Sequence, residues 1–218
     1  MKLAAIVPLN RRSQAKTRLA GALASSDRAN LALWLAQRVI AALRDAQVVD
    51  GGIGVISPDD EVLRWAWRSG ATAVRQHGGG LNDAVALGRD WALARGADAL
   101  MVVLGDLPLL AAADVRALAA AATEMPSPPS ITIAPDRAGR GTNILVVRPP
   151  AAMPFAFGED SLSRHVALAR ELGIEPRIIQ LPGVAFDVDT PEDVRELATR
   201  GLWQPPHFER DLFAGEAS

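Results

Sequence analysis

Apolar and polar positions follow one another along this chain in blocks that predict strands and helices in alternation. Short apolar runs at 3–7, 52–56 and 71–74 have the length of buried strands. The run at 99–104 is apolar throughout, as a central parallel strand buried on both faces is. Helical spacing separates the apolar positions that follow the first run: Leu31, Trp34, Leu35, Val39 and Leu43.

The second half of the chain continues the alternation with closer spacing. Strands are expected at 131–134, 144–147 and 176–181, and helices at 81–95, 113–123, 161–173 and 190–200. The later strands lie too close together for helical crossovers, so part of the sheet should be antiparallel. We therefore predict an α/β fold in one domain, 1–204, with a mixed, mostly parallel, Rossmann-like sheet between helical layers (α/β/α), followed by a C-terminal tail, 205–218.

Local signals mark where three of the helices begin. Ser25 or Ser26 can cap the first helix, and Ser57 can cap the second, with a proline at its first position. Before the last helix, Thr190 is expected as the N-cap and Asp193 as the acid of a capping box.

Composition narrows the class of protein. The 218 residues are 49% hydrophobic and 22% charged, with a net charge of −2 and no cysteine. This balance is that of a soluble globular protein and argues against nonspecific nucleic-acid binding. Thiol chemistry and disulfides are excluded. The sequence shows neither a membrane-length apolar stretch nor a signal-peptide pattern, so we expect a cytoplasmic protein that binds neither nucleic acid nor membrane.

A basic segment follows the first predicted strand. Four cations, Arg11, Arg12, Lys16 and Arg18, occur within eight positions beyond Pro8. Ligands of open α/β sheets bind beyond the carboxyl ends of the strands, so this segment is placed to hold a polyphosphate. A solvated basic turn remains an alternative.

Acidic residues follow two other segments. Asp106 comes directly after the buried run 99–104, where a turn or cap residue is the alternative. Asp187 and Asp189 lie in extended chain, where side chains two positions apart point the same way. Three carboxylates on one edge would form an oxygen site suited to Mg²⁺.

Cations and acids together predict chemistry on a nucleoside triphosphate. Lys16, Arg18 and one or two Mg²⁺ ions would neutralise its charge and align the attacking and leaving oxygens. A phosphate oxygen as nucleophile needs little proton transfer, which agrees with histidines that we expect at helix ends or on the surface: His77, His165 and His207. The sequence contains no P-loop motif. Asn82, just after three glycines at 78–80, is a candidate contact for the base or a helix cap.

Several short motifs, in this order, resemble the 2-phospho-L-lactate guanylyltransferase family (CofC/FbiD). They are Val7-Pro8-Leu9, Ala15-Lys16-Thr17-Arg18-Leu19, Gly80-Leu81-Asn82-Asp83-Ala84, Gly105-Asp106-Leu107-Pro108, Gly141-Thr142-Asn143, Phe157-Gly158-Glu159-Asp160-Ser161 and Asp187-Val188-Asp189-Thr190-Pro191. The resemblance extends from about residue 3 to residue 198. It implies a single-domain fold like that of nucleotide-diphospho-sugar transferases.

The resemblance also implies a reaction, in which GTP and a phosphorylated hydroxyacid give a guanylyl-diphospho acid and pyrophosphate, a step in coenzyme F(420) biosynthesis. Lys16, Arg18 and Asp106 would be catalytic, and Asp106, Asp187 and Asp189 would hold Mg²⁺. The nucleotide site would comprise Pro8, Leu9, Lys16, Asn82 and Asp106. The phospho-acid would contact Thr142, Gly158 and Ser161.

The resemblance leaves some points open. The acid could be 2-phospho-L-lactate, phosphoenolpyruvate or 3-phospho-D-glycerate. Asn10 stands where relatives often have a lysine, and Arg11 or Arg12 are candidates to replace it. The alternatives are a nucleotidyltransferase for a sugar phosphate or molybdenum cofactor, and a catalytically silent nucleotide-binding subunit. A homodimer and a hand-off to the next enzyme of the pathway are also open.

Overall fold

Seven strands form one mixed sheet in a computed structural model that describes residues 1–124 and 128–203. The strands are β1 (Leu3–Pro8), β2 (Gly52–Ser57), β3 (Thr72–Arg75), β4 (Ala99–Val103), β5 (Ser130–Pro135), β6 (Thr142–Arg148) and β7 (Arg177–Ile178). Their order in the sheet is β3-β2-β1-β4-β6-β5-β7. The predicted tail, 205–218, and His207 lie outside the described residues.

In the described residues, seven α-helices connect and cover the strands. They are α1 (Ser25–Asp45), α2 (Asp60–Arg68), α3 (Leu81–Ala94), α4 (Ala112–Glu124), α5 (Ser161–Glu171), α6 (Pro182–Ala185) and α7 (Pro191–Thr199). Buried residues of α1, α2 and α4 pack on one face of the sheet, and those of α3 and α5 on the other. The predicted three-layer arrangement is therefore confirmed.

Each central strand supplies both hydrophobic cores because neighbouring side chains point to opposite faces. In β1, Ala5 and Val7 belong to the core beneath α1, whereas Ala4 and Ile6 belong to the core beneath α3. The same alternation runs along β4. All six residues of β1 are buried, which explains why its sequence is a continuous apolar run.

The direction of strand pairing changes halfway across the sheet. Strand β1 is parallel to both β2 and β4, whereas β6 is antiparallel to β4 and to β5. The expected mixture of parallel and antiparallel strands is confirmed. A consequence is that the amino end of β6 lies at the same edge of the sheet as the carboxyl ends of β1 and β4.

Two helix starts differ from the sequence expectation. Ala24 is the N-cap of α1, without a side-chain cap, and Ser25 is already helical. The N-cap of α2 is Asp59 rather than Ser57, because the Asp59 carboxylate accepts hydrogen bonds from the first-turn amides of Glu61 and Val62. At α7 the prediction is confirmed: Thr190 is the N-cap and Asp193 completes the capping box.

The strand predicted at 176–181 is shorter than expected. Only Arg177 and Ile178 form β7, at the edge of the sheet beside β5. The short helix α6, which begins at Pro182, follows closely and limits the strand. No helix in the described part of the chain is long and apolar enough to cross a membrane.

Candidate active site

The candidate active site lies at the edge of the sheet where β1 and β4 end. These strands are parallel neighbours, so the segments that follow them meet in space. Gly105, directly after β4, permits this close approach: a Cβ atom there would lie 2.4 Å from Cδ2 of Leu9. The basic segment after β1 and Asp106 after β4 are therefore held side by side.

The basic segment is shaped by two short 3-10 turns, Arg12–Gln14 and Thr17–Leu19. Lys16 stands between them with φ 48° and ψ 47°, in the left-handed region that non-glycine residues adopt at a cost of roughly 1–2 kcal/mol. Leu19 is fully buried in a third core formed with α1 and α7. This anchor and the left-handed turn direct the Lys16 side chain inward.

Lys16 connects the two acidic segments. Its Nζ atom lies 2.6 Å from Oδ2 of Asp106 and 3.1 Å from Oδ1 of Asp189. Burial opposes the charged form of Lys16, but the attraction of both carboxylates and their hydrogen bonds outweigh it and raise the pKa of the lysine. Lys16 is therefore a protonated cation at neutral pH.

Arg18 also contacts the acidic cluster, from the solvent side. Its Nη1 atom lies 3.0 Å from Oδ2 of Asp189, and 78% of its side chain is exposed. Arg12, in contrast, is engaged elsewhere: its guanidinium pairs with Glu61 and its amide donates to Asp59. The Arg11 side chain forms no ion pair with any described residue.

Asp187 and Asp189 are placed by a backbone contact. The amide of Val188 donates to the carbonyl of Asp106 at 3.2 Å, and the Val188 side chain is buried. The two carboxylates therefore flank a residue fixed against the end of β4. Burial, with the charges of Asp106 and Asp189, raises the pKa of Asp187 to about 6.

The three acids are not arranged as metal ligands in this conformation. Among the described residues, no group of three or more acidic or histidine side chains has that arrangement. The Lys16 ammonium instead lies between Asp106 and Asp189. One Asp106 oxygen, Oδ1, is buried without a hydrogen-bond partner in the part of the chain described.

A cavity of about 770 Å³ opens over this cluster. Its walls are the basic segment, the end of β4 and a glycine loop at 78–80 that precedes α3; Pro8 and Leu9 contribute to the lining. Its volume is within the range of pockets that hold small-molecule cofactors, about 300–1,000 Å³. The cavity therefore extends from the basic segment and its acidic partners to the glycine loop.

Gln76 shapes that glycine loop and was missed by the sequence analysis. Its Nε2 atom donates to the carbonyls of Gly78 and Gly80, both at 3.0 Å. These two hydrogen bonds fix the glycine loop, and Gln76 itself lines the cavity. A polar residue directly after β3, two positions before the glycines, was the available signal.

Asn82 makes contacts other than a helix cap. Its Nδ2 donates to the carbonyl of Phe157 at 3.1 Å, and its Oδ1 accepts from the amide of Phe157 at 2.8 Å. The N-cap of α3 is Gly80, whose amide donates to Asp83 at 2.8 Å. Asn82 therefore ties α3 to the segment before α5, and the alternative that it caps the helix is wrong.

The residues expected to bind the phospho-acid are adjacent to one another. Thr142 begins β6, and its amide donates to Oγ of Ser161 at 2.9 Å. The amide of Ser161 in turn donates to the carbonyl of Gly158 at 3.2 Å. Both hydroxyl residues are buried. Because β6 is antiparallel to β4, Thr142 lies at the same edge of the sheet as Asp106.

His165 contradicts the expectation of a surface or helix-end histidine. It is fully buried, within α5, and both ring nitrogens have partners. The spacing of Ser161, His165 and Ala169, four residues apart on the buried face of α5, was a signal for this position. His77 is exposed, as expected.

Known proteins resemble this chain along nearly its whole length. The family profile described as "Guanylyl transferase CofC like" matches residues 3–204. The phosphoenolpyruvate guanylyltransferase of Sphaerobacter thermophilus is 48% identical over 198 residues, which are 91% of this chain and 93% of the relative. The 2-phospho-L-lactate guanylyltransferase of Methanothermobacter thermautotrophicus is 36% identical over 202 residues, covering 92% of this chain and 86% of the relative.

Solved structures share the fold at low sequence identity. A Desulfovibrio desulfuricans protein assigned as a nucleotide-diphospho-sugar transferase is 18% identical, with a TM-score of 0.71 over 96% of this chain and 91% of that one. Glucosyl-3-phosphoglycerate synthase from Mycobacterium tuberculosis, solved with Mn²⁺ and UDP, is 13% identical, with a TM-score of 0.59 over 92% of this chain and 77% of that one.

These likenesses decide between the alternatives left open by the sequence. The solved structures establish the nucleotide-diphospho-sugar transferase fold and nothing further. The sequence relatives are guanylyltransferases for phosphorylated acids, and they do not favour a transferase for a sugar phosphate or molybdenum cofactor or a silent subunit. Since the family profile spans residues 3–204 and the relatives align over most of the chain, this protein belongs to the CofC-like guanylyl transferase family.

Proposed function

We propose that this chain transfers the guanylyl group of GTP to the phosphate of phosphoenolpyruvate. A phosphate oxygen of the acid attacks the α-phosphorus of GTP, the bond from that phosphorus to the β-phosphate oxygen breaks, and pyrophosphate leaves with the electron pair. The observation that carries the proposal is the protonated Lys16, held between Asp106 and Asp189 beside a cavity of nucleotide size.

In this proposal Lys16 and Arg18 bind the phosphates of GTP. The reaction brings two highly charged anions together, and the cations lower their repulsion and stabilise the charge that develops on the leaving pyrophosphate. The Arg18 side chain is 78% exposed, and both cations need only to exchange carboxylate partners for phosphate oxygens. Pro8 and Leu9 line the same cavity, and in this proposal they contact the nucleotide.

We propose that the carboxylates of this cluster hold a divalent metal ion, Mg²⁺, once the Lys16 ammonium has exchanged them for phosphate oxygens. Asp106 has a buried oxygen without a partner among the described residues, and burial, with the charges of Asp106 and Asp189, raises the pKa of Asp187 to about 6. Carboxylate oxygens are the ligands Mg²⁺ prefers. When bound through Asp106, Asp187 and Asp189, the ion would neutralise phosphate charge and polarise the α-phosphate.

Thr142, Gly158 and Ser161 are the proposed contacts for the phospho-acid. The two buried hydroxyl residues are adjacent, since the amide of Thr142 donates to Oγ of Ser161 at 2.9 Å. The names of relatives support phosphoenolpyruvate over 2-phospho-L-lactate, since the relative at 48% identity acts on the former and the one at 36% on the latter. We propose that Asn82 contributes to nucleotide binding indirectly, by holding the backbone of Phe157 against α3.

Pyrophosphate release tests the proposal directly. The purified chain is assayed with each of four nucleoside triphosphates, Mg²⁺ and one of three acids: phosphoenolpyruvate, 2-phospho-L-lactate or 3-phospho-D-glycerate. Release with GTP and phosphoenolpyruvate is expected, and the next enzyme of the pathway can trap an unstable product. Preference for another acid would refute the substrate assignment alone, whereas GTP binding without turnover on any acid would refute guanylyl transfer.

A further inference from the structure

The imidazole of His165 is held at both nitrogens. Nδ1 lies 2.9 Å from Oγ1 of Thr142, and Nε2 lies 3.0 Å from the amide nitrogen of Ala156. The ring of Phe157 packs edge-on at a centroid distance of 4.8 Å. The side chain is fully buried, so water does not compete for these contacts.

The partners of the ring decide where its proton is. A backbone amide can only donate, so Nε2 must accept through its lone pair. Burial, with the nearby charge of Arg164, lowers the pKa of His165 to about 4, and the ring is neutral at physiological pH. A neutral imidazole carries one proton, which is therefore on Nδ1 and is donated to Oγ1 of Thr142.

Because Nδ1 of His165 donates to Oγ1 of Thr142, the hydroxyl proton of Thr142 is not used in that hydrogen bond. Oγ1 accepts from His165, and none of the described residues accepts the hydroxyl proton of Thr142. The same holds for Ser161, whose Oγ accepts from the amide of Thr142. Two buried hydroxyls thus each use an acceptor position within the protein and each retain one proton to donate.

An unsatisfied donor in the interior costs about 1–3 kcal/mol, so the binding free energy of a ligand that supplies an acceptor for it is more favourable by that amount. A group with donors of its own would not be favoured. The chemistry that satisfies both hydroxyls is an oxygen without a proton, such as an ionised phosphate or carboxylate oxygen.

We propose that His165 is a positioning residue for the phospho-acid. By donating to Oγ1 of Thr142, it fixes that hydroxyl as a donor toward an anionic oxygen of the acid. The inference rests on the proposed function, because it takes the Thr142–Ser161 pair as the acid subsite. His165 does not touch the substrate and takes part in no proton transfer.

Two amide substitutions separate positioning from a structural role. The amide of asparagine reaches the position of Nδ1, so His165→Asn keeps a donor for Thr142 and loses the acceptor for Ala156. The amide of glutamine reaches the position of Nε2, so His165→Gln keeps the acceptor for Ala156 and loses the donor. A purely structural histidine gives no reason for these variants to differ in the binding of one substrate.

The expected result is a selective change in KM. His165→Gln should raise KM for phosphoenolpyruvate by about 10-fold, the value of one hydrogen bond to a charged group, and leave KM for GTP unchanged. His165→Asn should keep KM for phosphoenolpyruvate within about 3-fold of the original. Equal effects of the two variants, or parallel changes in both KM values, would overturn the inference.

A double-mutant cycle tests whether His165 acts through Thr142. In the Thr142→Val background, His165→Gln should produce no further rise in KM for phosphoenolpyruvate, since the hydroxyl it orients is gone. Additive increases would show that His165 acts by another route. The phosphoenolpyruvate-induced shift in Tm gives the same comparison without catalysis, so it remains decisive if the chain proves not to transfer guanylyl groups.

The tautomer can also be observed in the unsubstituted protein, which removes any dependence on the folding of the variants. Long-range proton–nitrogen NMR spectra of protein labelled with ¹⁵N-histidine distinguish a protonated Nδ1 from a protonated Nε2. His77→Gln and His207→Gln variants assign the signals. A proton on Nδ1 of His165 is expected, and a proton on Nε2 would refute the inference whatever the kinetics show.

Discussion

The Lys16 ammonium lies 2.6 Å from a carboxylate oxygen of Asp106, although 90 positions separate the two residues in the chain. Only 11% of the Lys16 side chain and 19% of the Asp106 side chain are exposed. The pair closes the end of the cavity where the strands β1 and β4 meet. It places the cation that we assign to GTP directly against the acids that we assign to the metal.

Replacing this lysine should affect both activity and stability. Lys16→Met removes a charge that stabilises the transition state, so turnover should fall by about 100-fold. It also leaves partly buried carboxylates without their cation, which should lower the free energy of unfolding by about 2 kcal/mol. Turnover assays and urea unfolding measure the two effects.

The matched control is Arg64→Met on α2, whose side chain is exposed and forms no ion pair with the described residues. It should change the unfolding free energy by less than about 0.5 kcal/mol. Normal turnover of Lys16→Met would contradict a role of this lysine in catalysis and leave it a structural ion-pair partner of Asp106 and Asp189.

Asp189 is expected to be needed for catalysis more than for folding. Its side chain is 38% exposed, so Asp189→Asn should change stability by less than about 1 kcal/mol. Loss of one of three proposed metal ligands should weaken Mg²⁺ binding by at least about 10-fold, measured by calorimetry, and turnover should fall with it. Glu192→Gln, a surface acid three positions along, serves as the control. Unchanged affinity for Mg²⁺ would contradict the metal role.

Asp187, unlike Asp189, is expected to lower the stability of the metal-free protein while it contributes to turnover. Its pKa is raised to about 6 because burial and two neighbouring carboxylates disfavour its charge. Asp187→Asn removes that repulsion, and after allowance for solvent screening it should stabilise the metal-free protein at pH 8 by about 1–2 kcal/mol. Turnover should decrease.

Asp45→Asn, an exposed acid at the end of α1, should leave both quantities unchanged. Thermal unfolding without added metal provides the measurement. A lower Tm for Asp187→Asn would show that the carboxylate is stabilised by contacts rather than strained by its neighbours.

The buried histidine should give the protein a characteristic loss of stability in acid. With a pKa of about 4 when folded against 6.5 when unfolded, His165 takes up a proton mainly in the unfolded state between these values. Its contribution is present above pH 6.5 and is lost as the pH falls toward 4, by about 3 kcal/mol in all.

Unfolding free energies measured across this range for the original protein and for His165→Gln isolate the effect, because the other titrating groups are common to both. The difference between the two curves should shrink as the pH falls. A constant difference would show that His165 takes up its proton equally in the folded and unfolded states, so that folding does not lower its pKa.

The elements of the fold could be predicted because each depends on neighbours in sequence. The apolar run 3–7 and the capping box of Thr190 and Asp193 follow rules that act within a few residues. The pairing of the basic segment with Asp106 was accessible for a related reason, since parallel strands always bring their carboxyl ends to one edge. The motifs then identified the family.

The sequence by itself determined the fold class, the edge of the sheet that holds the cavity and the kinds of side chain gathered there. Only the tertiary structure decided which partners those side chains have: Lys16 between Asp106 and Asp189, Asn82 against Phe157, and His165 beneath Thr142. The physical reason is that a polar group can be buried once a distant residue satisfies its hydrogen bonds, and helical spacing records the buried face but not the partner.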